Sequence, residues 1–180
     1  NVVIFESGKN KSLPPAMYVA NAFMKKYSSG NTFSIVAGKR GILSDPEIVG
    51  LEYDLTNSDR DWLEPAGFNL IVKRRGFGVM IFSNNTGYQR VQSALNNTHV
   101  REALITIERD IERILLNFLF DWNDVTTRMR VKTMVKNYLE AVQNARGISW
   151  FDVIFDDSNN TTEVLENYAG VVDILVDFPR

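Results

Sequence analysis

Five aspartates in the last third of the chain, Asp152, Asp156, Asp157, Asp173 and Asp177, are the residues whose type and spacing come nearest to catalytic chemistry. Carboxylates drawn together by neighbouring strands could hold a divalent metal or divide general acid and base roles between them. A metal-dependent hydrolase or nuclease would need Asp152, Asp156, Asp173 and Asp177 to converge in one concave pocket. No histidine and no glycine-containing calcium loop accompanies them, so the expectation is a solvated or partner-facing acidic strip. The one histidine, His99, opens a helical stretch without a Ser-x-Gly nucleophile elbow or Glu-x-x-His spacing, and it reads as a polar residue at a helix start. Gly76-Phe77-Gly78 superficially suggests a phosphate loop, but the run continues as a strand and Walker spacing is missing, so a hairpin is expected. Arg128, Arg130, Lys132 and Lys136 give one helical segment a basic side, which serves solubility or meets an acidic partner. No residue is assigned a catalytic, metal-binding or cofactor-binding role.

The elements that carry these residues are legible from periodicity. Residues 149–156 and 171–178 alternate as strands: Phe151, Val153 and Phe155 share one face of the first, and Val172, Ile174, Val176 and Phe178 one face of the second. Their opposite faces carry the acids. Val100, Leu104, Ile107, Ile111, Ile114, Leu115 and Phe118 recur at intervals of three and four, the stripe of a long amphipathic helix for which Thr98 is the expected cap. A second helix begins near Asp124, with Val125, Met129, Val135, Tyr138, Leu139 and Val142 as its stripe and Gly147 as its expected left-handed end.

In the first half, residues 2–5 read as a strand ended by the turn Ser7-Gly8-Lys9-Asn10. Pro14-Pro15 precedes a helix over 16–26, residues 28–50 read as an irregular connection, and Thr56 to Leu63 as a short helical turn. Residues 68–73 and 77–82 form two strand-like runs around Arg74-Arg75-Gly76. The second is apolar on both faces and should be a central strand. These segments predict an α/β (α+β) domain spanning 1–180, a mixed sheet of four to six strands packed against two long helices, with an N-terminal part over 1–90 and a helix-helix-strand-strand part over 91–180. The strand that runs into Asp177-Phe178-Pro179-Arg180 has nothing after it to cover its edge, and an uncovered edge is a template for another chain or a fragment boundary.

Composition narrows the function classes further. With 44% hydrophobic residues in 180, the chain can bury one sizeable core, and its absence of cysteine rules out disulfides, thiol nucleophiles and thiolate metal sites. No apolar run approaches the roughly 20 residues that span a bilayer, and no membrane partner is expected. The net charge of −2 hides a gradient: 11 basic and 8 acidic residues over 1–90 give +3, 8 and 7 over 91–148 give +1, and 1 and 7 over 149–180 give −6. That polarity suits head-to-tail self-association and lacks the basic excess of a nucleic-acid binder. The first residue is Asn1, with no initiator methionine and no apolar leader, which reads as a trimmed or truncated fragment without a signal peptide.

The order of segments resembles a known family. Ser12-Leu13-Pro14-Pro15-Ala16, the run Leu63-Glu64-Pro65-Ala66-Gly67-Phe68-Asn69 and Arg75-Gly76-Phe77-Gly78-Val79-Met80-Ile81-Phe82 are similar to the early core of contractile tail sheath proteins of bacteriophages. The most specific stretch is Val100-Arg101-Glu102-Ala103-Leu104 through Phe118-Leu119-Phe120-Asp121-Trp122-Asn123-Asp124-Val125-Thr126-Thr127-Arg128: a long helix, a Phe-containing exit, an Asn-Asp pair and a Thr-Arg helix start. The resemblance implies a structural, non-enzymatic subunit of the virion tail, assembled in the host cytoplasm, that polymerises helically around the tail tube and contracts to drive it through the host envelope. It implies that subunits exchange terminal arms as added strands and meet tube, baseplate and tail terminator proteins, without a cofactor. On that basis Val172, Ile174, Val176 and Phe178, with Val2 and Ile4, are expected at strand-accepting sheet edges, and Arg128, Arg130, Lys132 and Lys136 toward the tube. The sheath of a bacterial contractile injection device is the alternative within the same class.

Overall fold

Val2–Glu6 forms β1, and its alternation places Val2 and Ile4 in the core while Phe5 stays half exposed. Ser7 and Gly8 both take positive φ, 51° and 78°, which makes a two-residue hairpin turn and sends the chain back as β2, Lys9–Leu13. Helix α1, Ala16–Ser28, opens directly after Pro15, whose ring pre-sets the first turn, and buries Tyr18, Ala22 and Lys26. The connection after α1 returns as β3, Ile48–Leu51, which pairs antiparallel with β1. A short helix α2, Asn57–Leu63, is closed at its start by a capping box between Thr56 and Asp59. Then come β4, Ile71–Arg74, and β5, Gly78–Ile81, joined through residues 75–77 as the expected hairpin. The computed structural model from which these elements are described covers residues 1–30, 32–89 and 91–179.

These elements belong to the first of two compact units, Asn1–Arg101; the second is Glu102–Arg180. In the first, Val2, Ile4, Tyr18, Ala22, Val36, Leu43, Val79 and Ile81 make one apolar cluster, while Leu70, Val72 and Met80 make another with Ile42, Leu55, Leu63 and Phe82 around it. Strand β5 contributes to both, which is the two-faced burial its sequence foretold. The Leu43 amide donates to the Val79 carbonyl at 2.9 Å and Met80 bridges Ile42, so β5 has backbone neighbours on both sides. Gly41 is needed for that approach, because a Cβ there would stand 3.0 Å from the Ile81 carbonyl oxygen and 3.1 Å from its Cβ.

The long helix α3, Thr98–Leu116, begins where its periodicity begins. Thr98 is its first residue, not its cap, and the Thr98 hydroxyl donates to the Asn85 carbonyl at 2.8 Å. In the second unit, Asp124 caps α4, Val125–Asn144, by accepting from the Thr127 amide at 2.7 Å, and the helix buries Arg128, Val131, Val135, Leu139 and Val142. The left-handed residue after α4 is Arg146, φ 62°, with the Gly147 amide donating back to the Val142 carbonyl at 2.9 Å. The glycine therefore sits one residue past its expected place, in the Schellman arrangement. Strand β6, Trp150–Ile154, packs on α4; a short α5, Thr162–Glu166, and β7, Asp173–Asp177, follow. Tyr138 on α4 donates to Asp110 on α3 at 2.8 Å, and burial first, then that carboxylate, pushes the phenol's pKa up.

The class is α+β with two long helices, as read from sequence. The strands are divided differently from the expected single mixed sheet: they form a three-stranded sheet in the order β2-β1-β3 and two pairs, β4-β5 and β6-β7, all antiparallel. Strands β1-β2 and β4-β5 are joined by tight turns and can only pair antiparallel, while β3 returns to β1 after α1 and β7 returns to β6 after α5. One expected edge is thereby removed. Because β1 is the middle strand, Val2 and Ile4 have β2 on one side and β3 on the other and are buried, so they offer no strand-accepting border.

Candidate functional site

The other expected edge is open. Strand β7 pairs with β6 alone, in the register Trp150↔Asp177, Asp152↔Leu175 and Ile154↔Asp173 on one face and Phe151↔Val176 and Val153↔Ile174 on the other. The backbone N–H and C=O groups of β7 that do not face β6 have no strand beside them among the described residues. The inner face of β7 looks onto α3. Val172, Ile174 and Val176 with Leu104, Ile107, Ile111, Leu115, Leu116 and Leu119 line an apolar groove of about 490 Å³, flanked by Glu108 and Glu112. Phe178, by contrast, is buried rather than presented at the edge. An apolar groove running beside unpaired backbone satisfies both needs of an incoming strand, main-chain partners and a place for alternate side chains.

The position of β7 is set by two asparagines. Asn160, 2% exposed, accepts from the Val171 amide at 2.9 Å through Oδ1 and donates to the Val171 carbonyl at 2.9 Å through Nδ2, treating that residue as a strand partner would. Asn123, at the turn between the helices, donates to the Ala169 carbonyl at 2.8 Å and to Asn160 Oδ1 at 3.3 Å. The sequence showed the Asn-Asp pair and the Asn/Thr-rich turn; only the fold shows that both grip the segment leading into β7.

The aspartates do not converge. Cross-strand pairing sets each of Asp152, Asp173 and Asp177 opposite an apolar residue, in a checkerboard that separates the carboxylates. Each has its own local partner. Asp152 and Asp177 accept from the amides of Val153 and Phe178, and Asp173 accepts from Asn159 at 3.0 Å. Asp156 accepts from the Ser158 hydroxyl at 2.6 Å and from its amide at 3.0 Å, and these bonds, with Lys132 nearby, hold its carboxyl below the usual range. Among the described residues no three potential ligands gather as a metal would require. His99 Nδ1 lies 2.6 Å from Asn84 Nδ2, in the role of a helix-start residue.

The basic side of α4 is largely consumed within the second unit. Arg128 is buried, its Nη1 2.8 Å from Asp157 Oδ1 as an ion pair without hydrogen-bond geometry, and Lys132 lies 3.7 Å from Asp156. Arg130 stands over the Phe118 ring at 5.7 Å, a cation–π contact, and Lys136 is half-buried. The expected row of outward cations is corrected in its main member: Arg128 faces its own acidic turn. Spacing alone placed Arg128, Lys132 and Lys136 on one helical face but could not show that the Asp156-Asp157 turn closes over it. Sequence reasoning also passed over the corner between α3 and α4, where Leu119, Phe120 and Trp122 are 61%, 98% and 87% exposed and Phe120 takes φ 72°.

This fold has solved counterparts. The helical sheath of the anti-feeding prophage in its contracted state superposes with a TM-score of 0.86 over 100% of this chain and 51% of that one, at 21% identity. The baseplate of the same particle, six-fold symmetrised, gives 0.83 over 99% and 50%, at 18% identity. The chain therefore shares the fold of about half of each of those chains. No family model matches the chain. Its sequence is 30% identical over 126 residues to the tail sheath protein of Vibrio phage KVP40, covering 70% of this chain and 19% of that protein, and 25% identical over 158 residues to that of Enterobacteria phage T4, covering 87% and 24%. The chain is similar to these phage tail sheath proteins, and it spans about a fifth to a quarter of their length. None of the described helices is long and apolar enough to cross a membrane.

Proposed function

We propose that this chain is the core of a contractile tail sheath subunit, which polymerises helically around the tail tube and changes its packing to drive the tube through the host envelope. The observation that carries the reading is the superposition of the whole chain on a contracted helical sheath, joined to sequence similarity with phage tail sheath proteins. The work is structural, with no catalytic step. Subunits stay linked because extended arms of neighbouring copies add as strands to the edge of β7 and seat in the groove along α3. Backbone hydrogen bonds suit this task, since they persist while side-chain interfaces repack during rigid rotation of subunits.

The subunit works in the virion tail after assembly in the host cytoplasm, and its partners are further copies of itself, the tube, the baseplate and the tail terminator. The exposed corner at Leu119, Phe120 and Trp122 and the remaining cations Arg130 and Lys136 are the surfaces available for tube contact in the second unit. Similarity to proteins of three phages favours a phage tail over a bacterial injection device. Electron microscopy of the purified full-length protein tests the proposal: hollow sleeves are expected, and a protein that stays monomeric at high concentration contradicts it.

A further inference from the structure

The border of β7 has a chemical preference as well as a shape. On its outer face Asp173 and Asp177 are exposed on either side of Leu175, and neither is paired with a cation among the described residues. Across the groove, Glu108 and Glu112 stand on α3. Two carboxylates thus mark the outer face of β7 and two flank the apolar slot, and residues 149–180 carry a net charge of −6. A strand laid along β7 must alternate its side chains between slot and outer face. Those in the slot meet Ile174, Val176 and the apolar stripe of α3, where a polar group would lose water without a partner. Those outside come directly beside Asp173, Leu175 and Asp177, where opposite charges attract and like charges repel.

We propose that the β7 edge is selective, accepting a strand whose slot-facing residues are apolar and whose outer residues run cation, apolar, cation; the inference rests on the strand-addition reading above and names the chemistry of the partner. The rule also rejects candidates. Strand β2 of another copy carries Lys9 and Lys11 on one face, yet Asn10 and Ser12 on the other would enter the apolar slot, so β2 is not the occupant.

Fluorescence anisotropy with short labelled peptides and the intact 180-residue protein tests this. A peptide alternating lysine, valine, leucine, valine, lysine should bind roughly tenfold tighter than the same peptide with glutamates for lysines, a preference that weakens with salt. The preference should shrink in the Asp173→Asn/Asp177→Asn double variant, whose folding is checked by circular dichroism. Replacing both valines with serine should abolish binding. Equal affinity of lysine and glutamate peptides overturns the charge rule and leaves strand addition standing. Undiminished binding of the serine peptide overturns the apolar rule in the same way. If no alternating peptide binds at all, strand addition at β7 fails and the inference falls with it.

Discussion

Asn160 is buried, and its burial is intelligible because both of its amide atoms are bonded, Oδ1 to the Val171 amide and Nδ2 to the Val171 carbonyl and to Asn159 Oδ1. Replacing it with alanine leaves the Val171 amide and carbonyl to compete for water in a half-closed site. Asn160→Ala should therefore cost about 1–3 kcal/mol, read as a lower urea midpoint with unchanged slope; an unaltered midpoint would show that the clamp is idle. The Arg128–Asp157 pair gives an asymmetric expectation. The Arg128 side chain is 9% exposed and that of Asp157 88%, so the ion pair is open to solvent on one side while the arginine stem is packed. Asp157→Asn should change stability by about 0–1 kcal/mol, as for exposed pairs, whereas Arg128→Ala should cost about 1–3 kcal/mol through lost packing. Equal losses in thermal unfolding would mean that charge, not packing, dominates there.

At the scale of elements, the start of α4 depends on pH through its cap. The amide of Thr127 donates to Asp124 and holds that carboxyl below its ordinary pKa, so the cap's contribution is complete above the unfolded value near pH 4 and is lost as pH falls through the lower, folded value. Amide exchange at the first turn of α4 should accelerate below about pH 4, and Asp124→Asn, itself a good cap, should flatten that dependence. Exchange rates that track pH identically in both proteins would remove Asp124 from the account. The elements that sequence made legible are those with strong periodicity: α3 and α4 from their stripes, β6 and β7 from alternation, β5 from apolar residues on both faces. Strand β2 hid because Lys9–Leu13 is polar and exposed on nearly every side and is held by its hairpin turn rather than by burial. Strand β3 hid within a glycine-bearing connection, and missing both left β1 looking like a border. Neither the acidic checkerboard nor the closure of residues 156–157 over Arg128 could be read from spacing, because both depend on register between segments distant in sequence.

For the whole molecule, the proposed relation between copies is the addition of a strand from one subunit to the β6-β7 pair of another. The second unit supplies the frame for that relation, with α3 forming the far wall of the groove and the asparagines at 123 and 160 fixing the approach of β7. Under that proposal, contraction needs no new bonds in the core, only rotation of subunits that remain tied along that edge. The most direct measurement is a cryo-EM reconstruction of sleeves formed by the full-length protein, at a resolution that traces the backbone beside residues 173–177. The account predicts a strand from a neighbouring subunit hydrogen-bonded to β7, its alternate side chains in the groove against Ile107 and Ile111. Sleeves in which that edge faces solvent and subunits are joined elsewhere would contradict it.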